Sequence, residues 1–542
     1  MELAEVESLF QRAEQCHPYP NAESYASNHC AIEMLQAYLK QPKTSMARAL
    51  TQSKLGIYLM QSNDSHHMLT QLGMIFYNRS NSLRALCYFC ACEKLCSDSL
   101  TPVYTMQTHI QFYLAQVYAC LQCHAESAKY CVLTLAYQLR SHLSRQADST
   151  VVFDHEDWIS NALQLVQFFL KRGKQTYQAS VMLLASEQIL YQDKITMCDI
   201  QSKSRLSAEV QLSWASLQLR VLEQAHDENG TEHNDYVPVD EIAEVLELIS
   251  EQKSHQPSVG LQCEDSEKEI MQSKWLKMRY VNPETIHLYD DAVQVFCLGM
   301  KACEDAKNHF QMDGYVSTHI RICQIQSKLF DRLSKFECDP KRQYSLQLRR
   351  YHTLRPILEA DININAFGDL VQQVAYEGGE ILADLYDRKL LLEASRTISG
   401  SSSGRGIMYA SRAILCYEQY VRCFYASDPK VVPRGNHATL PNDPKLLSAN
   451  DMHALLLGYF ALARLCSRIT FKDDAIKTRE FWKLGLAYFE TIVLFRKKFD
   501  ETNELEGRKL QERFKTEFSL TEEMLQLLPE KINVLVYRGN QL

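Results

Sequence analysis

Residues 106–139, MQTHIQFYLAQVYACLQCHAESAKYCVLTLAYQL, decide the fold. They read as two amphipathic helices packed back to back. Leu114, Ala115 and Tyr118 belong to the first. On the second, Ser127, Cys131 and Thr134 supply the small or medium residues that a helical hairpin needs. The break at 121–125 turns the chain. Apolar residues at i, i+3, i+4 and i+7 give each helix one adhesive face. A single hairpin cannot bury that face alone, so it requires neighbours.

Those neighbours are legible on both sides. Residues 67–97 place Leu69, Leu72, Gly73 and Phe76 on one helix and Ala85, Phe89 and Cys92 on the next. This is the large-into-small interlock of a tetratricopeptide repeat. Gly73 inside a helix costs up to ~1 kcal/mol, and close approach of a partner helix is the expected compensation. A third unit carries Leu165, Val166 and Phe169, then Ala179, Leu183 and Ser186. The equivalent leucine recurs at 72, 114 and 165, in steps of 42 and 51 residues, longer than the usual repeat of about 34. Helices are also expected over 2–16, 21–40 and 46–61, and over 201–226 with Leu206, Val210, Leu217 and Leu222 on the apolar side.

The bulk composition agrees with an all-α chain. Only 18 Gly and 14 Pro occur in 542 residues, and both are helix breakers. No alternating β-branched run demands a sheet. The net charge of −8 argues against general nucleic-acid binding. Residues 227–269 hold thirteen acids against Lys253 and Lys268, so this segment stands at −11 and the rest of the chain near +3. The expected organisation is a helical subdomain over 1–226, an acidic linker over 227–282 with short helices at 238–252 and 264–277, and a second helical subdomain over 283–542. In that second half, helices are expected at 284–308, 315–337, 341–358, 363–387, 406–426, 446–469, 474–498 and 503–528. The last closes at Leu528-Pro529, and loops fall at 399–406 and 429–444.

Several chemistries are excluded by pattern. The start MELAEVESLF lacks the basic and apolar regions of a signal peptide. No run of about 18 apolar residues suggests a membrane span. The 18 cysteines are therefore expected reduced, in the cytoplasm. Cys87, Cys90, Cys92 and Cys96, with Cys120 and Cys123, imitate zinc spacing but lie within helices, where their thiols diverge. Core packing is the better reading. No phosphate loop, nucleophile elbow or kinase motif occurs. The expectation is a binding protein without catalytic residues, cofactor, metal, small-molecule substrate, nucleic-acid partner or membrane insertion.

A stack of helix pairs offers a groove suited to a partner helix. Its candidate residues are Tyr113 and Gln116 on one helix, Gln138 late on its partner, and Trp158, Asn161, Gln164 and Gln167 on the next. Aromatics carry large contact area at low entropic cost, and amides satisfy backbone or charged groups. Trp158 reads equally well as core. A co-chaperone of the carboxylate-clamp kind would place Lys and Asn where this chain has Thr70, Met74, Phe112 and Gln116. The clamp is missing.

FYLAQVY at 112–118, AKYC at 128–131, Trp158 and Asn161, HFQMDGYV at 309–316 and EEMLQLLPEK at 522–531 resemble the KIF-binding protein family. The resemblance runs nearly the whole chain. It departs at Gln41-Pro42-Lys43, where the family carries a longer loop rich in acids and Pro. The resemblance implies a right-handed α-solenoid of tetratricopeptide-like pairs in two halves joined by the acidic linker. It implies a cytoplasmic, cytoskeleton-associated protein that binds motor domains of a subset of kinesins. Such a protein covers the motor's microtubule-binding side and keeps it off the track, with roles in axonal growth, mitochondrial transport and spindle behaviour. Tyr113, Gln116 and Gln138 match the family's groove positions. The acidic linker would attract a basic motor surface. The competing expectation is a generic repeat scaffold or co-chaperone adaptor not specific to kinesins.

Overall fold

The computed structural model describes residues 65–97, 104–144, 153–172, 175–191, 200–226, 237–246, 279–394, 405–425, 432–441, 448–471, 474–502 and 504–539. Helices expected over 2–16, 21–40, 46–61 and 264–277 lie outside them. The described residues form an α-solenoid of consecutive helical hairpins, and no strand occurs among them. Two compact units emerge, Met1–Leu206 with Gly230–Tyr280, and Ser207–Asn229 with Val281–Leu542.

The first unit begins with α1 (Ser65–Asn78) and α2 (Ser82–Ser97). A Cβ on Gly73 would stand 2.6 Å from the Phe89 ring. The bulky side chain therefore fills the place that glycine leaves, which is the close approach its position requires. Next come α3 (Tyr104–Cys120) and α4 (His124–Ser144). Both hairpins turn in the same way. Ser80 (φ 57°) and Gln122 (φ 60°) adopt the left-handed conformation. The following amides, Asn81 N and Cys123 N, donate to Phe76 O and Tyr118 O at 3.0 Å, closing each first helix in Schellman fashion. Ile110, Leu114 and Val117 of α3 join Ala85, Phe89 and Cys92 of α2 in one core. Ser127 Oγ donates to Ala115 O at 2.9 Å, where a small residue lets α4 approach α3.

The third hairpin is α5 (His155–Lys171) and α6 (Thr176–Leu190), followed by α7 (Ile200–His226), within which the division between units falls. Asp154 caps α5 by accepting from Asp157 N at 3.0 Å. The acidic segment is not solvated throughout. Val237, Val239, Ile242, Val245 and Leu246 are buried, and residues 240–246 are helical. Arg140 of α4 clips that helix by ion pairs to Glu241 (2.8 Å) and Glu244 (2.5 Å).

The second unit continues with α8 (Tyr289–Lys307), α9 (Val316–Phe336), α10 (Pro340–Glu359), α11 (Ile364–Ala394), α12 (Arg405–Arg422), α13 (Ala449–Cys466), α14 (Ala475–Thr502), α15 (Glu504–Arg513) and α16 (Lys515–Gly539). Its core is aromatic, built on Tyr386, Tyr417, Tyr459, Tyr488, Phe489, Phe495 and Phe514. Buried tyrosines keep a partner for the hydroxyl. Tyr417 donates to Glu380 at 2.5 Å and Tyr420 to Ala454 O at 2.7 Å. Cβ atoms on Gly379 and Gly458 would meet the rings of Tyr417 and Tyr420 at 2.6 Å. The interlock of α1 and α2 thus recurs. The loop expected at 429–444 is in part a packed strap. Val432 and Ala438 are buried, and Gly435 N donates to Thr491 Oγ1 at 2.6 Å.

Several helix ends differ from expectation: α11 runs to Ala394 rather than 387 and α14 to Thr502 rather than 498, and the C-terminal helix differs most. The helix expected over 503–528 is two helices, meeting at Phe514. The second does not close at Leu528-Pro529 but runs on to Gly539. Leu528 and Ile532 both lie in the core, so burial on either side of Pro529 outweighs the one hydrogen bond the proline cannot donate.

Candidate functional site

A cleft of about 390 Å³ opens between α3, α4 and α5 in the first unit. Helical periodicity sets its lining. Phe112 and Gln116 lie one turn apart on α3, and Gln138 comes from α4. Asn161, Gln164, Leu165 and Phe168 fall at i, i+3, i+4 and i+7 on α5. Ser127 and Thr134 also line the cleft, but their hydroxyls donate to Ala115 O (2.9 Å) and Tyr130 O (2.7 Å).

The four amides, Gln116, Gln138, Asn161 and Gln164, are therefore its main polar equipment. His124 is the one lining residue with a basic side chain, and no carboxylate lines the cleft. Burial pushes the Cys131 thiol up, which keeps it neutral at the back of the cleft. The lining as a whole is apolar, with the four amides and the His124 imidazole set among the apolar side chains. It matches a partner presenting apolar side chains beside uncompensated polar groups.

Four of the seven residues expected from the sequence, Gln116, Gln138, Asn161 and Gln164, line this cleft. Tyr113 and Trp158 do not line the cleft. Tyr113 is 100° around α3 from Phe112 by helix geometry. It stacks on Phe89 (5.3 Å) and meets Tyr77 edge-on (6.0 Å), so it seals the α2–α3 contact. Trp158 is 2% exposed, and its Nε1 donates to Leu135 O at 3.0 Å. It pins α5 to α4. Gln167 is exposed but outside the lining. The aromatics at the cleft are Phe112, 47% exposed, and Phe168. The signal that finds them is the i+4 relation to Gln116 and Gln164.

Among the described residues no group of three or more His, Cys, Asp or Glu is placed to hold an ion. Cys92 is core and Cys90 half-buried, whereas Cys87, Cys120 and Cys123 face outward, so core packing holds for only part of that array. Among the described residues no helix is long and apolar enough to cross a membrane.

The family model described as KIF-1 binding protein C terminal matches residues 156–535. The chain belongs to that family. Its match begins on α5, one residue into the helix that carries Asn161 and Gln164, and extends to the last turns of α16. The chain is similar to the KIF-binding protein of Gallus gallus, at 26% identity over 465 residues, covering 79% of this chain and 68% of the relative. The Homo sapiens relative is 24% identical over 443 residues, with 78% and 65% covered. The Drosophila melanogaster relative is 22% identical over 458 residues, with 81% and 68% covered. Matched regions therefore span about two thirds of each relative's length. A solved structure described as a cryo-EM map of KIFBP superposes with a TM-score of 0.53 at 21% identity, covering 99% of both chains. That likeness shows a shared helical fold.

Proposed function

We propose that this protein binds kinesin motor domains through the α3–α4–α5 cleft and blocks their attachment to microtubules. The family membership supports kinesin as the partner, since the relatives carry KIF binding in their names. The observation that carries the site is the convergence of Gln116, Gln138, Asn161 and Gln164 beside Phe112 and Phe168. These amides have both donors and acceptors to give, and an apolar wall beside them suits one face of an amphipathic helix. A motor whose track-binding helix lies in such a cleft cannot meet the microtubule with the same surface. Inhibition then needs no chemistry from the binder. Regulation of axonal and organelle transport, in the cytoplasm, is the corresponding cellular role.

The test is microtubule co-sedimentation of a panel of purified motor domains, with and without the full chain. Wild type should move at least one motor from pellet to supernatant. Gln116→Ala/Gln164→Ala and Phe112→Ala should each weaken this at least tenfold, about 1.4 kcal/mol, with unchanged circular dichroism. Release of a motor by these variants at wild-type concentrations moves the contact elsewhere. Failure to release any motor ends the kinesin reading.

A further inference from the structure

The outer ridge of α9 serves neither the cleft nor the core. This helix carries Arg321, Lys328, Arg332 and Lys335 against a single acid, Asp331. Arg332 reaches Glu223 of α7 at 3.5 Å. Asp331 is held by Arg350 of α10 at 2.8 Å, so it does not neutralise the ridge. Arg321, Lys328 and Lys335 remain, all exposed. The opposite face, with Ile320, Cys323, Ser327, Phe330 and Ser334, is buried.

The three cations are seven residues apart. A helix rises about 1.5 Å per residue and drifts only about 20° per heptad. They therefore form a nearly straight row with steps of about 10.5 Å and a span of about 21 Å. An extended peptide in the polyproline II conformation has three residues per turn and advances about 3.1 Å per residue, so every third side chain returns to one face after about 9.3 Å, close enough to one step for the long cationic side chains to follow. We infer that this ridge docks an extended acidic peptide segment of a partner protein, one carboxylate in three meeting Arg321, Lys328 and Lys335 in turn. The row is selective for sparse negative charge. A polynucleotide suits it less, because the ridge presents no aromatic platform for bases. This inference is independent of the cleft and its partner.

The test is fluorescence anisotropy of the full chain with a fluorescein-labelled peptide, EGSEGSEGSE, at 50 mM salt. Its lysine counterpart and a single-stranded oligonucleotide serve as comparison probes. Wild type should bind the glutamate peptide, and affinity should fall about tenfold or more by 300 mM salt, as screening of exposed charges requires. Arg321→Glu/Lys328→Glu/Lys335→Glu should abolish binding, and the corresponding triple Gln variant should weaken it about tenfold. Lys483→Glu/Lys497→Glu/Lys531→Glu changes net charge equally at other exposed positions and should bind within about twofold of wild type. Equal losses in both Glu triples would reduce the effect to overall charge and overturn the inference. So would wild-type binding by the Gln triple, no binding by wild type, or tighter binding of the oligonucleotide.

Discussion

Gly73 shows how a single residue ties two helices. The position costs helical propensity, yet a methyl group there would stand 2.6 Å from the Phe89 ring. Phe89 is fully buried and stacked on Tyr113, so the ring has nowhere to retreat. Gly73→Ala gains ~1 kcal/mol of propensity but overpacks by roughly 1–3 kcal/mol. The expected outcome is a net loss of about 1 kcal/mol and a lower Tm. Adding Phe89→Leu should restore part of it, because the smaller side chain leaves room. A Gly73→Ala protein more stable than wild type would contradict the interlock. Cysteines make a second residue-scale prediction. Burial pushes the thiols of Cys303, Cys416 and Cys466 up to about 12 and that of Cys423 to about 11. Thiolate is the reactive form. A maleimide at pH 7.5 should therefore label Cys87, Cys120, Cys123, Cys297 and Cys338, which are exposed, and spare those four until denaturant is added. Peptide mass spectrometry reads this site by site. A neutral buried thiol favours the fold fully below pH 9.0, its ordinary value. Above that the unfolded chain ionises first, so this contribution is lost as pH climbs towards 12.

At the scale of elements, Arg350 joins three helices. From α10 its guanidinium donates to Asp331 (2.8 Å) and Ser327 Oγ (3.0 Å) on α9 and to Glu377 (3.0 Å) on α11. Arg350→Ala leaves two carboxylates facing each other without their cation. Removing one partner of a fully buried pair costs roughly 3–5 kcal/mol. These side chains retain 16–27% exposure, so about 2 kcal/mol is expected after solvent screening. Denaturant unfolding followed by circular dichroism measures it. Arg350→Lys should recover less than half, because one ammonium cannot reproduce the planar fork. Such junctions are not legible in the sequence, where Ser327, Asp331, Arg350 and Glu377 are merely polar residues on amphipathic helices. The helices themselves are legible, because a 3.6-residue apolar stride needs no knowledge of the partner. The same stride explains the misread end of α16. Phe514, Phe518, Thr521, Leu528 and Ile532 are buried at helical spacing that continues through Pro529. Reading the proline as a stop gave local propensity more weight than tertiary burial. At the cleft, the amides were legible because i, i+3 and i+4 relations put them on shared faces. Tyr113 and Trp158 turn away from the cleft, because the angle around the helix, not residue type, decides which way each points.

Over the whole molecule the charge is unevenly assigned. Residues 227–269 stand at −11 in a chain of −8. Part of that charge is spent internally, since Glu241 and Glu244 hold Arg140. Glu264, Asp265, Glu267 and Glu269 form its densest stretch. A motor surface that meets an acidic track is basic, so this stretch should raise the encounter rate without contributing much to the final contact. Exposed charges are screened over about 8 Å at 0.15 M salt. The association rate with a bound motor domain, measured by stopped flow, should therefore fall roughly tenfold between 50 and 300 mM salt, with a much smaller change in dissociation. Changing these four acids to Gln and Asn should slow association at 50 mM and flatten the salt dependence. The cleft variants Gln116→Ala/Gln164→Ala should act in the opposite sense, raising dissociation and sparing the salt slope, because short-range contacts govern residence. A salt-independent association rate in wild type would remove the acidic segment from the encounter.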